Sequence, residues 1–564
     1  MLEFSDDIIE RYTTAGLWGT ETFSDRIAHY AQHAPQGVAL VDAPNRHEIT
    51  GDQPRRLTFA ELDRRCVRIA ALFLSCGIGK GDIVVVQLPN ITELVEIILA
   101  CARIGAIVSP VAVQFGTREI ADILDLTQAR LFIGAERIKK RNLADSAIPV
   151  CQRFSCRLLL VGDSGRYPEL AFNTQMELSQ SNQLLSAYLE REVISANDVA
   201  TLCWTSGTTG APKGVPRSHN LWLASGKAKN FIPGENLLSG FPFINAATIG
   251  GVLSPWLLTG GKLVLHHPLD IPLFLQQIQD ENIDVTTAPP PLLARILEDE
   301  ISCAALKASN LRMISSGSAP LAPAMVARYQ RDLGIVIVNN FGSNEGVFLS
   351  SDGDTVPDPV KRAQLFPRLG ADNVEWDTPA ARFIKTKLVD PATGETITAA
   401  HVPGELAVKG PTIFTGYFKR PELTATAFDS EGYFLTGDRF EIAGSSEDAR
   451  FYRFLGRYKD LIIRGGMNIS PEEIDHLLMQ HPDIREAAVA GYPDADLGER
   501  VGAVIVCEAG RQVNLADLQR FFRQLGVAVF KTPEKLLIID ELPRNSLNKV
   551  VRNQLRDLLL EARD

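Results

Sequence analysis

The chain has 564 residues, 45% hydrophobic and 22% charged, with 43 glycines, 32 prolines and a formal net charge of -11. That length suits several domain-sized units around a large buried core, and the composition excludes a disordered or fibrous class. The acidic balance argues against a nucleic-acid-binding coat or a polybasic membrane anchor, which need clustered Lys and Arg, but leaves room for a local basic pocket.

The opening segment MLEFSDDIIERY is acidic and has no basic, apolar leader pattern. The longest apolar run, LVEIILACARIGAIVSPVAV, is interrupted by Glu96 and Arg103, so no transmembrane span is expected. The eight cysteines, Cys66, Cys76, Cys101, Cys151, Cys156, Cys203, Cys303 and Cys507, form no C-x-x-C pair, and the nine histidines show no H-E-x-x-H or H-x-H spacing. Reduced thiols, no zinc site and a cytoplasmic location are the expectation.

GDIVVVQLPN reads as a strand, TELVEIILACARIG as a helix capped by Gly105, and AIVSPV as a second strand. TREIADILDLTQA is an amphipathic helix and RLFIGA another strand. This βαβαβ order predicts a mainly parallel sheet flanked by helices. The pattern recurs in GKLVLHH, DIPLFLQQIQDENI, DVTTAPP, LRMISSGSAPL and GIVIVNNFGSNEG. The last two run into Gly/Ser/Asn turns at the carboxyl ends of strands, where parallel sheets bind ligands. From Phe383 onward short β segments dominate, and a small α+β unit follows Gly456–Lys459. The predicted fold is α/β. A large domain over 1–457 combines mainly parallel sheets with a β-rich part, and a smaller α+β domain covers 458–564.

The most informative segment is TLCWTSGTTGAPKGV. Thr205, Ser206, Thr208 and Thr209 supply hydroxyl donors. Gly207 and Gly210 let backbone amides approach an anion, and Lys213 adds charge. The Walker pattern G-x-x-x-x-G-K-[ST] is absent. A generic Ser/Thr/Gly loop would also lack the Pro-Lys-Gly ending.

With this loop the chain resembles the adenylate-forming superfamily, which includes acyl-CoA synthetases, stand-alone aryl-acid adenylating enzymes and firefly luciferase. The resemblance spans nearly the whole chain. SSGSAPL, NNFGSNEG, GELAVKGPTIFTGYF with YFLTGD, GRYKDLIIRGGMNISPEEID and LPRNSLNKVVR follow the loop in the family's order.

The resemblance implies ATP, Mg²⁺ and CoA, and it assigns roles to residues. Phe341 would stack on adenine, with Ser318, Ala319 and Pro320 on the other side of the base, Asn340 at its edge and Gly342 beside it. Glu345 would bind Mg²⁺ and act in catalysis. Asp438 would hold the ribose hydroxyls, helped by Arg457. Lys549 would be the catalytic cation that bridges carboxylate and α-phosphate. Lys459 would be the hinge on which the small domain turns, bringing Gly465 and Gly466 to a pantetheine tunnel. Asn245, Ala246, Gly250 and Gly317 would line the acyl pocket.

Three positions depart from the family pattern. Asn344 replaces Thr before the metal Glu, with an amide able to donate to a phosphate oxygen. Asn548 replaces Gly before the catalytic Lys, and Asn tolerates left-handed backbone. In FPFINAATIGG, Asn245-Ala246 stands where aryl-acid enzymes carry His-Asn. This argues against a catechol or salicylate and for a roomy apolar pocket and an apolar acid of medium bulk. Small-residue packing is the alternative for the same glycines and alanines. The acyl acceptor stays open between CoA and a carrier protein. The other readings are an ATP-binding protein without activity, against which all four of Lys213, Glu345, Asp438 and Lys549 speak, and a luciferase-like oxidation, which no specific residue supports.

Overall fold

The computed structural model describes residues 4–163, 165–178, 182–205, 212–317, 319–464, 467–494, 496–525, 527, 529–545 and 549–562, with backbone alone for 178, 182, 459 and 468. Ser206, Gly207, Thr208, Thr209, Gly210, Ser318, Gly465, Gly466, Asn548 and the Lys459 side chain lie outside the described residues.

Ile83–Gln87 is buried at every position and runs parallel between Ile107–Pro110 and Leu131–Ala135 in a six-stranded sheet. The crossover helix Thr92–Ile104 ends at Gly105, whose φ of 71° suits a residue without Cβ. This helix is buried almost throughout, so its charges need partners. Arg65 donates to Glu96 at 2.6 and 3.0 Å, and Arg103 bonds Asp63. The two charges that interrupt the apolar run are therefore matched inside the protein.

A second sheet has eight strands in the order Phe348–Ser351, Val336–Gly342, Met313–Gly317, Val285–Thr287, Leu237–Ser239, Leu263–Leu265, Val38–Val41 and Arg56–Thr58. Its inner six are parallel and both edge strands are antiparallel. One apolar core joins the two sheets through Val84, Ile97, Trp222, Leu263 and Val338. The helices Thr92–Ile104 and His219–Lys227 are thus sandwiched between them, which aims the carboxyl ends of Met313–Gly317 and Val336–Gly342 at a shared edge.

A five-stranded antiparallel sheet follows: Leu365–Pro367, Phe451–Arg457, Phe434–Ile442, Gly404–Lys409 and Lys385–Val389. The stretch FYRFLGRYKDLII is divided. Phe451–Arg457 completes this sheet, Tyr458–Asp460 makes a single 3₁₀ turn, and Ile462–Arg464 starts the last sheet. That last sheet contains Ile484–Asp494 and Gly498–Cys507, with Lys535–Ile538 parallel to the latter. It encloses its own core of Ile469, Ile474, Val489 and Phe522. Among the described residues no helix is long and apolar enough to cross a membrane.

Candidate active site

Val199–Thr205 and Lys213–Ser218 form an antiparallel pair that presents Thr205 opposite Lys213 at the base of the Ser/Thr/Gly loop. Gly214 is closely packed here: a Cβ would meet Leu202 at 3.0 Å and Phe418 at 3.1 Å. The Lys213 ammonium lies 5.0 Å from the centre of the Tyr417 ring, within cation–π range. The Tyr417 hydroxyl donates to Glu345 Oε1 at 3.0 Å. Burial and the Glu345 carboxylate push the Tyr417 pKa well up, so the phenol stays a donor. Tyr417 was not singled out from the sequence, although it lies in the quoted segment GPTIFTGYF.

Glu345 is buried in the turn after Val336–Gly342. That turn is pinned by Arg217, which is wholly buried, stacks on Trp222 and donates to the Asn344 carbonyl at 2.8 Å. Burial lowers the Arg217 pKa to about 9. Gly346, at φ 107°, passes so close to Thr412 that a Cβ would collide with its carbonyl. Asn344 differs from expectation. Its amide donates to the Trp204 carbonyl at 3.0 Å, and its own oxygen accepts the Ala246 N–H at 2.8 Å. The side chain knits the phosphate-loop strand to the acyl segment and is occupied with backbone rather than offered to a phosphate.

Phe341 is half-buried against Phe440, Phe454 and Phe366, with ring centres 5.0, 5.5 and 6.1 Å away. Gly317 pairs with Asn340. This brings half-buried Ala319 and exposed Pro320 alongside the same strand end, and exposed Gly342 follows Phe341 there. The Asn340 carbonyl oxygen of the side chain accepts from the Ser350 hydroxyl at 3.0 Å.

Asp438 is buried and stands opposite Arg457, whose Nε donates to it at 2.9 Å. Burial pushes the Asp438 pKa up to about 6, Arg457 and Lys549 pull it down, and Glu345 pushes it up. Lys549 and Glu345 therefore share one electrostatic neighbourhood with Asp438, although they come from distant parts of the chain. Asn545 and Lys549 are tied to each other: Asn545 Oδ1 accepts the Lys549 N–H at 3.0 Å, and the Lys549 carbonyl accepts the Asn545 N–H at 2.8 Å. Three residues after Lys549, Arg552 donates to Asp475 at 2.7 Å, Glu472 at 3.1 Å and the Val489 carbonyl. The Ser470 hydroxyl in turn donates to the Leu455 carbonyl at 2.6 Å, joining this unit to the preceding sheet.

Two glycines expected to line the acyl pocket pack tightly on the protein. A Cβ on Gly250 would lie 3.1 Å from the Trp222 ring. A Cβ on Gly317 would collide with the Asn340 carbonyl, so strand spacing favours a glycine there. Asn245 Oδ1 accepts the Ala247 N–H at 3.0 Å and opens a turn that winds into the π-helical Ile249–Leu253, a geometry frequent at functional sites. A Cβ on Gly251, by contrast, would meet only the Ala246 carbonyl at 3.8 Å and the Lys229 ammonium at 3.9 Å. The small-residue segment expected to line an apolar pocket thus has a cation beside it.

The family model described as "AMP-binding enzyme" matches residues 27–418, and "AMP-binding enzyme C-terminal domain" matches residues 473–549. The chain belongs to the AMP-binding enzyme family. This AMP-binding enzyme is 31% identical to pyochelin synthase PchD of Pseudomonas aeruginosa, over 98% of this chain and 96% of that one. It is 30% identical to the medium-chain fatty-acid–CoA ligase of Escherichia coli, over 98% and 93%. Its fold matches the anthranilate CoA ligase AuaEII in complex with anthranoyl-AMP, with a TM-score of 0.78 at 20% identity, over 96% of this chain and 97% of that one. It is an adenylate-forming enzyme by family.

Proposed function

We propose that this chain activates a carboxylic acid with ATP and transfers the acyl group to the thiol of CoA. The observation that carries the reading is the convergence of Glu345, Asp438, Arg457 and Lys549 on one site at the base of the Lys213 loop. In the first step a carboxylate oxygen attacks the α-phosphorus of ATP, the bond to the β-phosphate oxygen breaks, and pyrophosphate leaves. Lys549 offsets the negative charge that builds where two anions meet. Thr205, the loop residues to Gly210 and Lys213 hold the phosphates. Asp438 accepts from the ribose diol and Arg457 fixes it. Phe341, Asn340 and the 317–320 turn frame the base.

A hard carboxylate held by one phenol suits Mg²⁺, which takes one or two carboxylates along with phosphate oxygens and water. When bound at Glu345, the ion would supply charge neutralisation on the phosphates. In the second step the unit from 458 to 564 turns about Lys459, withdrawing Lys549 and bringing the 464–467 segment to the adenylate. The thiol attacks the acyl carbon, AMP departs, and the thiol proton is lost to solvent. The fatty-acid–CoA ligase relative supports CoA as acceptor.

Mass spectrometry of the purified protein with ATP, Mg²⁺, CoA and a pool of aryl, linear and alicyclic acids tests this reading. An acyl-CoA product supports it. Acyl-AMP without acyl-CoA moves the acceptor to a carrier protein. ATP hydrolysis that ignores the acids contradicts the reading.

A further inference from the structure

Three separate segments of the site meet at Asn344. Its side-chain amide donates to the Trp204 carbonyl at 3.0 Å, on the strand that leads into the Ser/Thr/Gly loop. Its side-chain oxygen accepts the Ala246 N–H at 2.8 Å, in the segment expected to hold the acid. Its backbone carbonyl accepts from Arg217 at 2.8 Å. Glu345, the proposed Mg²⁺ ligand, is the next residue, and both are buried.

These partners lie 140, 98 and 127 residues away along the chain, and each is held in turn. The Trp204 indole donates to the Ser109 hydroxyl at 2.8 Å. The Ala246 carbonyl accepts the Gly250 N–H at 3.1 Å, so the N–H given to Asn344 stands at the head of the π-helical segment. Arg217 also donates to the Leu221 carbonyl at 3.0 Å and the Ser225 hydroxyl at 3.1 Å.

An amide carries donor and acceptor on separate atoms of one rigid plane, which lets it hold two segments at once. A threonine hydroxyl reaches less far from the backbone, and an aspartate would set a carboxylate oxygen against the Trp204 carbonyl. Breaking either bond leaves a buried polar group unpaired, which is costly. An acid seated against the 245–251 segment therefore acts on one end of the bridge, and phosphates seated in the loop act on the other.

Resting on the acid-activating reading above, we propose that Asn344 is a positioning residue that couples the two substrates: the acid tightens binding of Mg·ATP, and Mg·ATP tightens binding of the acid by the same factor. The amide itself neither gains nor loses a covalent bond or a proton.

The test is ATP–pyrophosphate exchange by the full chain, with Mg·ATP and acid varied against each other. The acid is the one that gives the fastest exchange in a pool of aryl, linear and alicyclic acids. In the unmodified chain, saturating acid should lower the KM for Mg·ATP about fivefold or more. Asn344→Leu, which loses both bonds, and Asn344→Asp, which keeps only the bond from Ala246, should bring that factor within about twofold of unity. Calorimetry with α,β-methylene-ATP, Mg²⁺ and the same acid reads the factor without turnover, so a variant that has lost exchange is still measured. A purely structural role would lower kcat or the melting temperature and leave the factor intact. A factor near unity in the unmodified chain, or one that survives in both variants, overturns the proposal and leaves acid activation standing. Absence of exchange with every acid overturns acid activation itself.

Discussion

Arg457 donates to Asp438 at 2.9 Å from directly across the ladder, so strand register alone brings guanidinium and carboxylate together. The pair closes the five-stranded sheet at the point where the chain leaves for its last sheet. The Asp438 carboxyl is held near neutrality by opposing influences, burial raising its pKa to about 6 against Arg457 and Lys549.

A pH dependence follows. Above about pH 6 Asp438 is ionised and offers two acceptors to a ribose diol; below it the carboxyl is protonated and loses acceptor capacity. Adenosine affinity, measured by calorimetry, should fall as pH drops through about 6, with no phosphate of the ligand titrating in that window. Asp438→Asn should bind adenosine weakly with little dependence across that window, and Arg457→Met should move the midpoint upward. Because the folded value lies above the ordinary aspartate value of 3.8, the ionised residue costs the nucleotide-free fold stability above about pH 6, a cost relieved as pH falls toward about 4. An affinity profile flat through pH 6 would remove Asp438 from the ribose site.

Lys549→Ala should reduce acyl-adenylate formation about 100- to 1000-fold and leave thioester formation from supplied acyl-adenylate within about threefold. Half-reaction assays separate the two. Equal loss in both would show that the variant damages the fold of the last unit rather than the first reaction.

Tyr417→Phe removes the hydroxyl that donates to Glu345. A hydrogen bond to a charged group contributes about 1.5–3 kcal/mol, so the Mg²⁺ concentration for half-maximal pyrophosphate exchange should rise about tenfold or more. Little change in that concentration would mean that Glu345 is positioned without the phenol.

Gly317→Ala should lower thermal stability and slow every acid alike, since its Cβ would strike the Asn340 carbonyl. A change in acid preference at unchanged stability would restore Gly317 to the acyl pocket.

Much of the architecture was legible because apolar spacing reports which face of each element is buried. VVV in Ile83–Gln87 and the helix ending at Gly105 are local patterns. The ordered motifs pointed to Glu345, Asp438 and Lys549, and the structure brings these three into one electrostatic neighbourhood. Contacts that form only when the chain returns on itself were not legible. Tyr417 meets Glu345 across 72 residues, and the Arg217 guanidinium reaches a carbonyl 127 residues away. Asn344 could be seen as a departure, but its partners, Trp204 and Ala246, could not. Small residues were the most ambiguous, because Gly250 and Gly317 share a composition signal, yet one packs on the Trp222 ring and the other on the Asn340 backbone.

Oxygen transfer tests the central claim most directly. With the acid that supports turnover labelled with ¹⁸O in its carboxylate, the account predicts AMP carrying one ¹⁸O and unlabelled pyrophosphate, because the carboxylate attacks the α-phosphorus and its oxygen stays there. Label in inorganic phosphate with ADP as co-product would contradict it, since that outcome means attack at the γ-phosphorus and an acyl phosphate instead of an adenylate.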